Sequence, residues 1–197
     1  MGNVMSYNKN IMRLEAFEEL VRAAEKLDEP WVIAIDGRCG SGKSTLGNKL
    51  AETLHSDMLH MDDFYLRKEQ RTPERYLTPG ENVDHERVEE YLKKWYQGNP
   101  FTWQKFDHET FEPGKTFLTY PGKKLVVEGS YSMHPSLRRC YTMTVFVQCD
   151  EETRKQRLMK REGAKYIDFV RRWIPLEELY FTYEHIEEIC DVIFVEK

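Results

Sequence analysis

A glycine-rich segment that ends in a lysine and a serine carries the strongest chemical signal in the sequence. Residues 37–44 read GRCGSGKS and match the pattern G-x-x-x-x-G-K-[S/T]. Glycines at these positions let successive backbone N–H groups curl inward around a phosphate. In this pattern the lysine, Lys43, reaches the β- and γ-phosphates of a nucleotide, and the hydroxyl of Ser44 is a ligand for Mg²⁺. We therefore predict a phosphate loop at residues 37–44, with Lys43 as a catalytic cation.

The context of this loop weighs against other interpretations. An apolar run, WVIAIDG, precedes it and a helical pattern over 43–54 follows it, which is the strand–loop–helix order that phosphate binding needs. A glycine-rich turn that binds nothing, and a dinucleotide fingerprint, are the alternatives. The fingerprint needs a small third residue where Thr45 stands and gives Lys43 no role. The predicted nucleotide-binding residues are Gly37, Arg38, Cys39, Gly40, Ser41, Gly42, Lys43, Ser44 and Thr45.

Three carboxylates follow short apolar runs. Asp62 and Asp63 stand in HMDDFY, residues 60–65, behind the run DMLHM, and such a pair could hold a metal, accept a proton or cap a helix. For Asp63 we favour the cap of a helix or turn. Glu128 ends the run KLVVE, where a carboxylate at the carboxyl end of a strand can hold Mg²⁺ or its waters, the alternative being a solvent-exposed strand end.

A basic helix is predicted at residues 151–162. Its arginines Arg154, Arg157 and Arg161 are three and four positions apart and share one face. One interpretation is a solvated surface. The other is a lid whose guanidinium groups stabilise charge on a phosphoryl group in transfer.

Apolar periodicity predicts the elements that hold these residues. Five apolar runs read as buried strands, and helices are predicted at 11–27, 43–54, 151–162 and 176–189, with another between Val83 and Gly98. Residues 66–82 read as a surface loop, and 101–122 as irregular structure or a small hairpin. The fold class is α/β, a doubly wound, mainly parallel five-stranded sheet. We expect one domain over 1–197, with an N-terminal helix in 1–29, an acceptor-side insertion at 66–122 and a short helical lid at 151–175.

Composition limits the function classes. The chain has 197 residues, 40% hydrophobic and 32% charged, which is enough for one domain with a substantial core. A net charge of -5 argues against a general nucleic-acid binder. No apolar run approaches the roughly 18 residues of a membrane span, so we expect a cytoplasmic protein without a membrane partner. The four cysteines are too far apart in sequence to suggest a zinc site. The sequence leaves the oligomeric state open, a homo-oligomer included.

The motifs resemble one family in their order along the chain. AIDGRCGSGKST, HMDDFY, NVDHERVEEY, KFDH, VVEGSYSMHP, DEETRKQRLMKR and DVIF are similar to segments of uridine kinase-like P-loop kinases, over roughly residues 30–196. The resemblance implies transfer of the γ-phosphoryl group of ATP, with Mg²⁺, to a small-molecule alcohol. A guanine-reading N-K-x-D element, expected in a GTPase, is absent from the sequence. The alternative class is a P-loop ATPase or nucleotide-dependent regulator without a small acceptor.

The same resemblance implies roles for individual residues. Asp62 corresponds to the family's base near the acceptor hydroxyl and to an outer-shell partner of Mg²⁺. Asp84 corresponds to an aspartate that binds ribose hydroxyls, and Phe106 stands where the nucleoside kinases have a tyrosine. The predicted substrate-binding residues are Asp62, Tyr65, Asp84, His85, Phe106, His108, Glu128 and Arg154, and the predicted metal ligands are Ser44, Asp62 and Glu128.

Overall fold

A six-stranded parallel sheet forms the centre of the protein. The computed structural model describes residues 10–196. The strands are β1 (Met12–Leu14), β2 (Trp31–Asp36), β3 (Asp57–His60), β4 (Phe101–Asp107), β5 (Glu112–Thr119), β6 (Lys124–Glu128), β7 (Met143–Gln148) and β8 (Val192–Val195). The sheet has the order β1-β8-β7-β2-β6-β3, and β4 and β5 form a separate antiparallel hairpin. The predicted parallel α/β sheet is confirmed, with six strands rather than five.

Helices cover both faces of the sheet. They are α1 (Phe17–Ala24), α2 (Lys43–Leu54), α3 (Pro73–Leu77), α4 (His85–Gln97), α5 (Glu151–Glu162), α6 (Tyr166–Asp168), α7 (Ile174–Glu184) and α8 (Ile186–Ile189). Short 3₁₀ turns occupy Met61–Phe64, Lys68–Gln70, Arg138–Cys140 and Gly163–Lys165, and a π-helical turn occupies Phe169–Trp173. One core packs α1 and α2 against one sheet face, and the other packs α4, α7 and the hairpin against the opposite face.

Three local predictions are wrong. The single helix over 11–27 is in fact a strand followed by a helix, because Met12 pairs in parallel with Val192 and its N–H donates to the carbonyl of Asp191 at 3.0 Å. The loop at 66–82 contains α3, which Thr72 caps by accepting from the Arg75 N–H. The helix over 176–189 breaks at His185, whose φ of 51° is left-handed. The hairpin within 101–122 is confirmed.

The topology brings the predicted site residues to one edge of the sheet. β2 lies between β7 and β6, and β3 pairs with the other side of β6. Because these strands are parallel, their carboxyl ends meet at the same edge. The phosphate loop follows β2, Asp62 follows β3, Glu128 ends β6, and α5 begins three residues after β7. No helix among residues 10–196 is long and apolar enough to span a membrane.

Candidate active site

The phosphate loop joins the buried strand β2 to the first turn of α2. Gly40 and Gly42 have φ angles of 78° and 95°, which side chains other than glycine rarely adopt, and Gly42 caps the start of α2. A Cβ on Gly40 would lie 2.6 Å from the carbonyl oxygen of Arg154. The loop therefore needs glycine both for its backbone shape and for contact with α5. The loop ends at the N-terminus of the twelve-residue helix α2, where the unpaired backbone N–H groups and the helix dipole favour binding of an anion.

The predicted loop residues divide into inward and outward groups. Ser41 and Cys39 are buried, whereas Ser44 and Thr45 are exposed on the first turn of α2. Lys43 is half-buried, and its ammonium donates to the carbonyl of Arg38 at 3.5 Å. The hydroxyl of Ser41 is buried without a hydrogen-bond partner in the described part of the chain. An exposed serine hydroxyl and a loosely held ammonium are the groups that a Mg²⁺-bound triphosphate would engage.

The side chain of Arg38 is engaged by two carboxylates. Its guanidinium binds Glu178 of α7 at 2.7 Å and Glu187 of α8 at 2.6 Å. The side chain of Arg38 therefore links the phosphate loop to α7 and α8. That the backbone of Arg38 contacts a nucleotide stays a prediction.

Glu128 has the features of a Mg²⁺ ligand or of a group that holds the ion's waters. It is buried, its Oε1 is 2.7 Å from Nδ1 of His60, and its Oε2 is buried without a hydrogen-bond partner among the described residues. A Cβ on Gly47 would lie 3.1 Å from the Cβ of Glu128. Because Gly47 is three positions after Ser44 on α2, the two residues share a helix face. Ser44 and Glu128 therefore lie on the same side of α2, and these residues fit a hard cation with oxygen ligands.

The carboxylate of Glu128 shifts the pKa of the neighbouring His60. Glu128 accepts a hydrogen bond from His60, which raises the pKa of His60 above its usual 6.5. His60 thus keeps one Glu128 oxygen engaged and leaves the other available. Sequence reasoning missed this pairing, because β3 and β6 are far apart in the chain.

The two adjacent aspartates have different environments. Asp62 is exposed, and its carboxylate has no hydrogen-bond partner among residues 10–196, whereas its backbone carbonyl accepts from Nε2 of His108 at 2.8 Å. Asp63 is buried and binds Lys105 of β4 at 2.7 Å. The predicted capping role of Asp63 is wrong, because it lies inside a 3₁₀ turn and holds the hairpin instead.

Aromatic rings surround Tyr65, beside His108. Its ring lies 5.2 Å from that of Phe106 and 5.7 Å from that of Trp173, in the segment predicted as a lid. The Tyr65 hydroxyl is 3.1 Å from that of Tyr76 and accepts from Arg172 at 3.3 Å. Phe106 is buried in this cluster, and His108 is exposed at its rim. The structure thus brings Tyr65, Phe106 and His108 together next to Asp62.

Asp84 and His85 are less open than the sequence suggests. Asp84 is 0% exposed, caps α4, and binds Arg67 at 3.2 Å and Arg87 at 2.8 Å. Its carboxylate is fully engaged, so a ribose contact would require its guanidinium partners to rearrange. That predicted contact stays a prediction.

His85 belongs to a compact polar cluster. Its ring stacks on His134 at 4.0 Å, its Nε2 is 3.1 Å from Glu81, and its Nδ1 is 3.1 Å from the Ser136 hydroxyl. Burial, together with the nearby charges of His85 and Arg138, lowers the pKa of His134 to about 3. His134 is therefore neutral at physiological pH. One ligand atom each of Glu81, His85 and His134 lies within 4.8 Å of the others, but the two imidazole rings are stacked at 14°, so their in-plane lone pairs lie in nearly parallel planes that do not converge on one ion.

The lid arginines are not equivalent. The backbone of Arg154 packs on Gly40, and the guanidinium of Arg157 lies 3.3 Å from the position of a Cβ on Gly42 and 3.3 Å from Glu196. Arg161 is exposed, one turn further along α5, and binds Glu162 at 2.6 Å. Arg154 and Arg157 thus flank the phosphate loop directly, whereas the guanidinium of Arg161 is engaged by Glu162.

A buried carboxylate directly before the loop was missed by sequence reasoning. Asp36 is 0% exposed and accepts from the N–H groups of Gly37, Tyr131 and Met133 and from the Tyr180 hydroxyl, at 2.8–3.2 Å. Burial raises the pKa of Asp36 to about 6, and the hydrogen bonds and Lys43 only partly oppose this. The signal in the sequence was a charged residue at the end of an otherwise apolar strand.

Comparison with known proteins places this geometry in a family. A family model described as an AAA domain matches residues 33–172. The chain belongs to this family. The chain is 27% identical over 165 residues to Uridine kinase-like protein 4 of Arabidopsis thaliana, across 79% of this chain and 35% of that protein. It is 29% identical over 154 residues to Uridine kinase of Clostridium novyi (strain NT), across 72% of this chain and 74% of that protein.

The chain spans about a third of the length of Uridine kinase-like proteins 4 and 5 of Arabidopsis thaliana. A solved structure described as a possible uridine kinase from Bacillus stearothermophilus superposes on this chain with a TM-score of 0.70 at 22% sequence identity. That match covers 90% of this chain and 96% of the other, and it shows the fold alone. The resemblance to uridine kinase-like P-loop kinases that the motifs indicate is confirmed.

Proposed function

We propose that this protein is an ATP-dependent small-molecule kinase. It transfers the γ-phosphoryl group of Mg-ATP to a hydroxyl of a nucleoside-like or other ribose-containing metabolite. One observation carries the proposal: the Asp62 carboxylate is exposed and unengaged at the sheet edge that holds the phosphate loop, while its neighbour Asp63 is buried against Lys105. The relatives named as uridine kinases support a nucleoside-like acceptor.

The residues divide the chemistry between placement and charge. Asp62 orients the acceptor hydroxyl and accepts its proton as the acceptor oxygen bonds to the γ-phosphorus and the bond to the β–γ bridging oxygen breaks. An aspartate is a weak base, so its contribution is mainly placement and late proton capture. Lys43 and Arg157, with Arg161 on a closed lid, stabilise the charge on the phosphoryl oxygens. Ser44 and Glu128 would hold Mg²⁺, and the bound ion would supply charge neutralisation at the phosphates.

A screen for acceptor-stimulated ADP release tests the reaction class. Release is measured with ATP and Mg²⁺ across nucleosides, ribosides, pantothenate, sugars and sugar phosphates. We expect a sharp rise with the correct alcohol, and no rise in Lys43→Ala, which lacks the ammonium that contacts the phosphates. Slow hydrolysis that no metabolite stimulates would contradict a kinase and favour the ATPase or nucleotide-dependent regulator.

Replacing Asp62 tests the role of the base. Asp62→Asn keeps the shape of the side chain but removes the proton acceptor, so we expect turnover to fall by about 100-fold or more while ATP affinity stays near wild type. Asp63→Asn is the matched control, since it breaks the Lys105 ion pair without touching the acceptor. Turnover of Asp62→Asn within a few-fold of wild type would show that Asp62 is not the base.

A further inference from the structure

Helix α7, which follows the lid, contacts the phosphate loop and the residue before it through three side chains. Glu177 accepts from the backbone N–H of Cys39 at 2.9 Å, Glu178 binds Arg38 at 2.7 Å, and the Tyr180 hydroxyl donates to Asp36 at 2.9 Å. Glu177 and Tyr180 are three positions apart and therefore share one helix face. Both are buried, whereas Glu178 is half-buried.

Glu177 is the member of this group that contacts the loop backbone. It is 6% exposed, and both of its oxygens are engaged, Oε2 with Cys39 and Oε1 with the Ser130 hydroxyl at 2.6 Å. A carboxylate this deeply buried is costly unless its hydrogen bonds compensate for lost hydration. The acceptor for Cys39 is thus a fixed group rather than a mobile surface side chain.

The contact falls where the loop most needs support. Cys39 precedes Gly40 and Gly42, whose backbones lose much conformational entropy when the loop is ordered. We infer that Glu177 is a positioning residue that holds the phosphate loop in its nucleotide-binding conformation. This inference rests on the proposed use of the loop for ATP.

Two effects of Glu177 on ATP binding oppose each other. Its hydrogen bond to Cys39 pre-organises the loop and favours ATP, whereas its negative charge near a triphosphate disfavours ATP. The negative charge of Glu177 also acts on the thiol of Cys39. Burial and, after it, this charge raise the pKa of Cys39 to about 12. If pre-organisation of the loop outweighs charge repulsion, the affinity for ATP depends more on the length of the side chain at position 177 than on its charge.

Two substitutions separate reach from charge. Glu177→Gln keeps the reach, since its amide oxygen can accept from Cys39 while its NH₂ group donates to Ser130. The Ser130 hydroxyl can then donate to the carbonyl of Gly37, which lies 3.1 Å away. Glu177→Asp keeps the charge but is one methylene shorter and falls short of Cys39.

The experiment measures the affinity of the full chain for ATP and Mg²⁺ by calorimetry without acceptor, together with thermal unfolding of each variant. We expect Glu177→Asp to bind ATP about tenfold more weakly and Glu177→Gln to bind as tightly as wild type or more tightly. Glu184→Gln and Glu184→Asp are the matched controls. Glu184 lies on the same helix and binds Arg138 at 2.7 Å, away from the loop, and its variants should bind ATP like wild type.

Three results would overturn the inference: wild-type affinity in Glu177→Asp, weaker binding in Glu177→Gln than in Glu177→Asp, or equal weakening in both variants. If Glu177→Asp does not fold, Glu177→Gln alone decides, because a loss of ATP affinity in a folded Glu177→Gln contradicts positioning by reach. A wild-type chain that binds no ATP would contradict the proposed function, and this inference with it, before any variant is made.

Discussion

At the scale of single residues, Asp36 combines complete burial with four converging donors. Burial raises the pKa of its carboxyl to about 6, compared with 3.8 for a free side chain. Between these values the folded chain binds the proton more tightly than the unfolded chain. The contribution of Asp36 to the free energy of unfolding is therefore largest below about pH 4, falls as the pH rises to about 6, and is smallest above that.

This pH dependence can be isolated with Asp36→Asn. We expect the unfolding free energy of wild type minus that of Asp36→Asn to fall on the order of 3 kcal/mol between pH 4 and pH 7. The measurement is urea unfolding at unit pH steps, and taking the difference removes the titration of the other carboxylates. A difference that stays constant across this range would show that Asp36 has an ordinary pKa.

The residues that could be predicted from the sequence are those whose role is local. The phosphate loop was found because all of its groups lie within eight consecutive residues. Glu177 and Asp36 were missed because their partners are 138 and 144 positions away, at Cys39 and Tyr180 respectively. Asp84 was found as a candidate, but its engagement by Arg67 and Arg87 could not be predicted from local pattern.

At the scale of elements, apolar runs identified the central strands, and the errors occurred where packing overrides local pattern. β1 was predicted as helix because its apolar residues continue the spacing of α1. The exposed edge of β8 instead recruits it as a parallel strand, since unpaired strand groups favour pairing. The π-helical turn at Phe169–Trp173 had no sequence signal, yet two of its side chains contact Tyr65, just before the acceptor-side insertion, and Tyr76 within it.

Those two side chains, Arg172 and Trp173, join the predicted lid to Tyr65 and to Tyr76 of the acceptor-side insertion. Trp173 packs edge-on against Tyr65, and Arg172 donates to the hydroxyls of Tyr65 and Tyr76 at 3.3 and 3.4 Å. If this contact closes the site over the reacting groups, Trp173→Ala should admit water. We expect ATP hydrolysis without acceptor to rise roughly threefold or more, and the KM for the acceptor to rise more than the KM for ATP.

ADP release with and without acceptor measures both effects. Val170→Ala is the matched control, because Val170 is exposed on the same π-helical turn and makes no ring contact with Tyr65. Unchanged background hydrolysis together with an unchanged acceptor KM in Trp173→Ala would show that the contact does not close the site.

At the scale of the whole molecule, the phosphate loop lies at the centre of the sheet. β2 is flanked by β7 and β6, and residues on both faces of β2 belong to the two cores. α5, within the predicted lid, and α7 both contact the loop, so the loop, the sheet and these two helices form a connected unit. A ligand held by this loop should therefore stabilise the whole fold rather than one segment of it.

Linkage gives the size of that effect. Free ATP at about 100 times its dissociation constant should stabilise the folded chain by about 2.7 kcal/mol. For a chain of this length that corresponds to a rise in Tm of about 5–10 °C. The rise should be smaller without Mg²⁺ and nearly absent in Lys43→Ala. The fold of that variant should persist, because within residues 10–196 the ammonium makes a single long hydrogen bond, to Arg38 at 3.5 Å. A Tm that ATP leaves unchanged in the wild type, or raises equally in Lys43→Ala, would show that the loop does not bind the nucleotide as proposed.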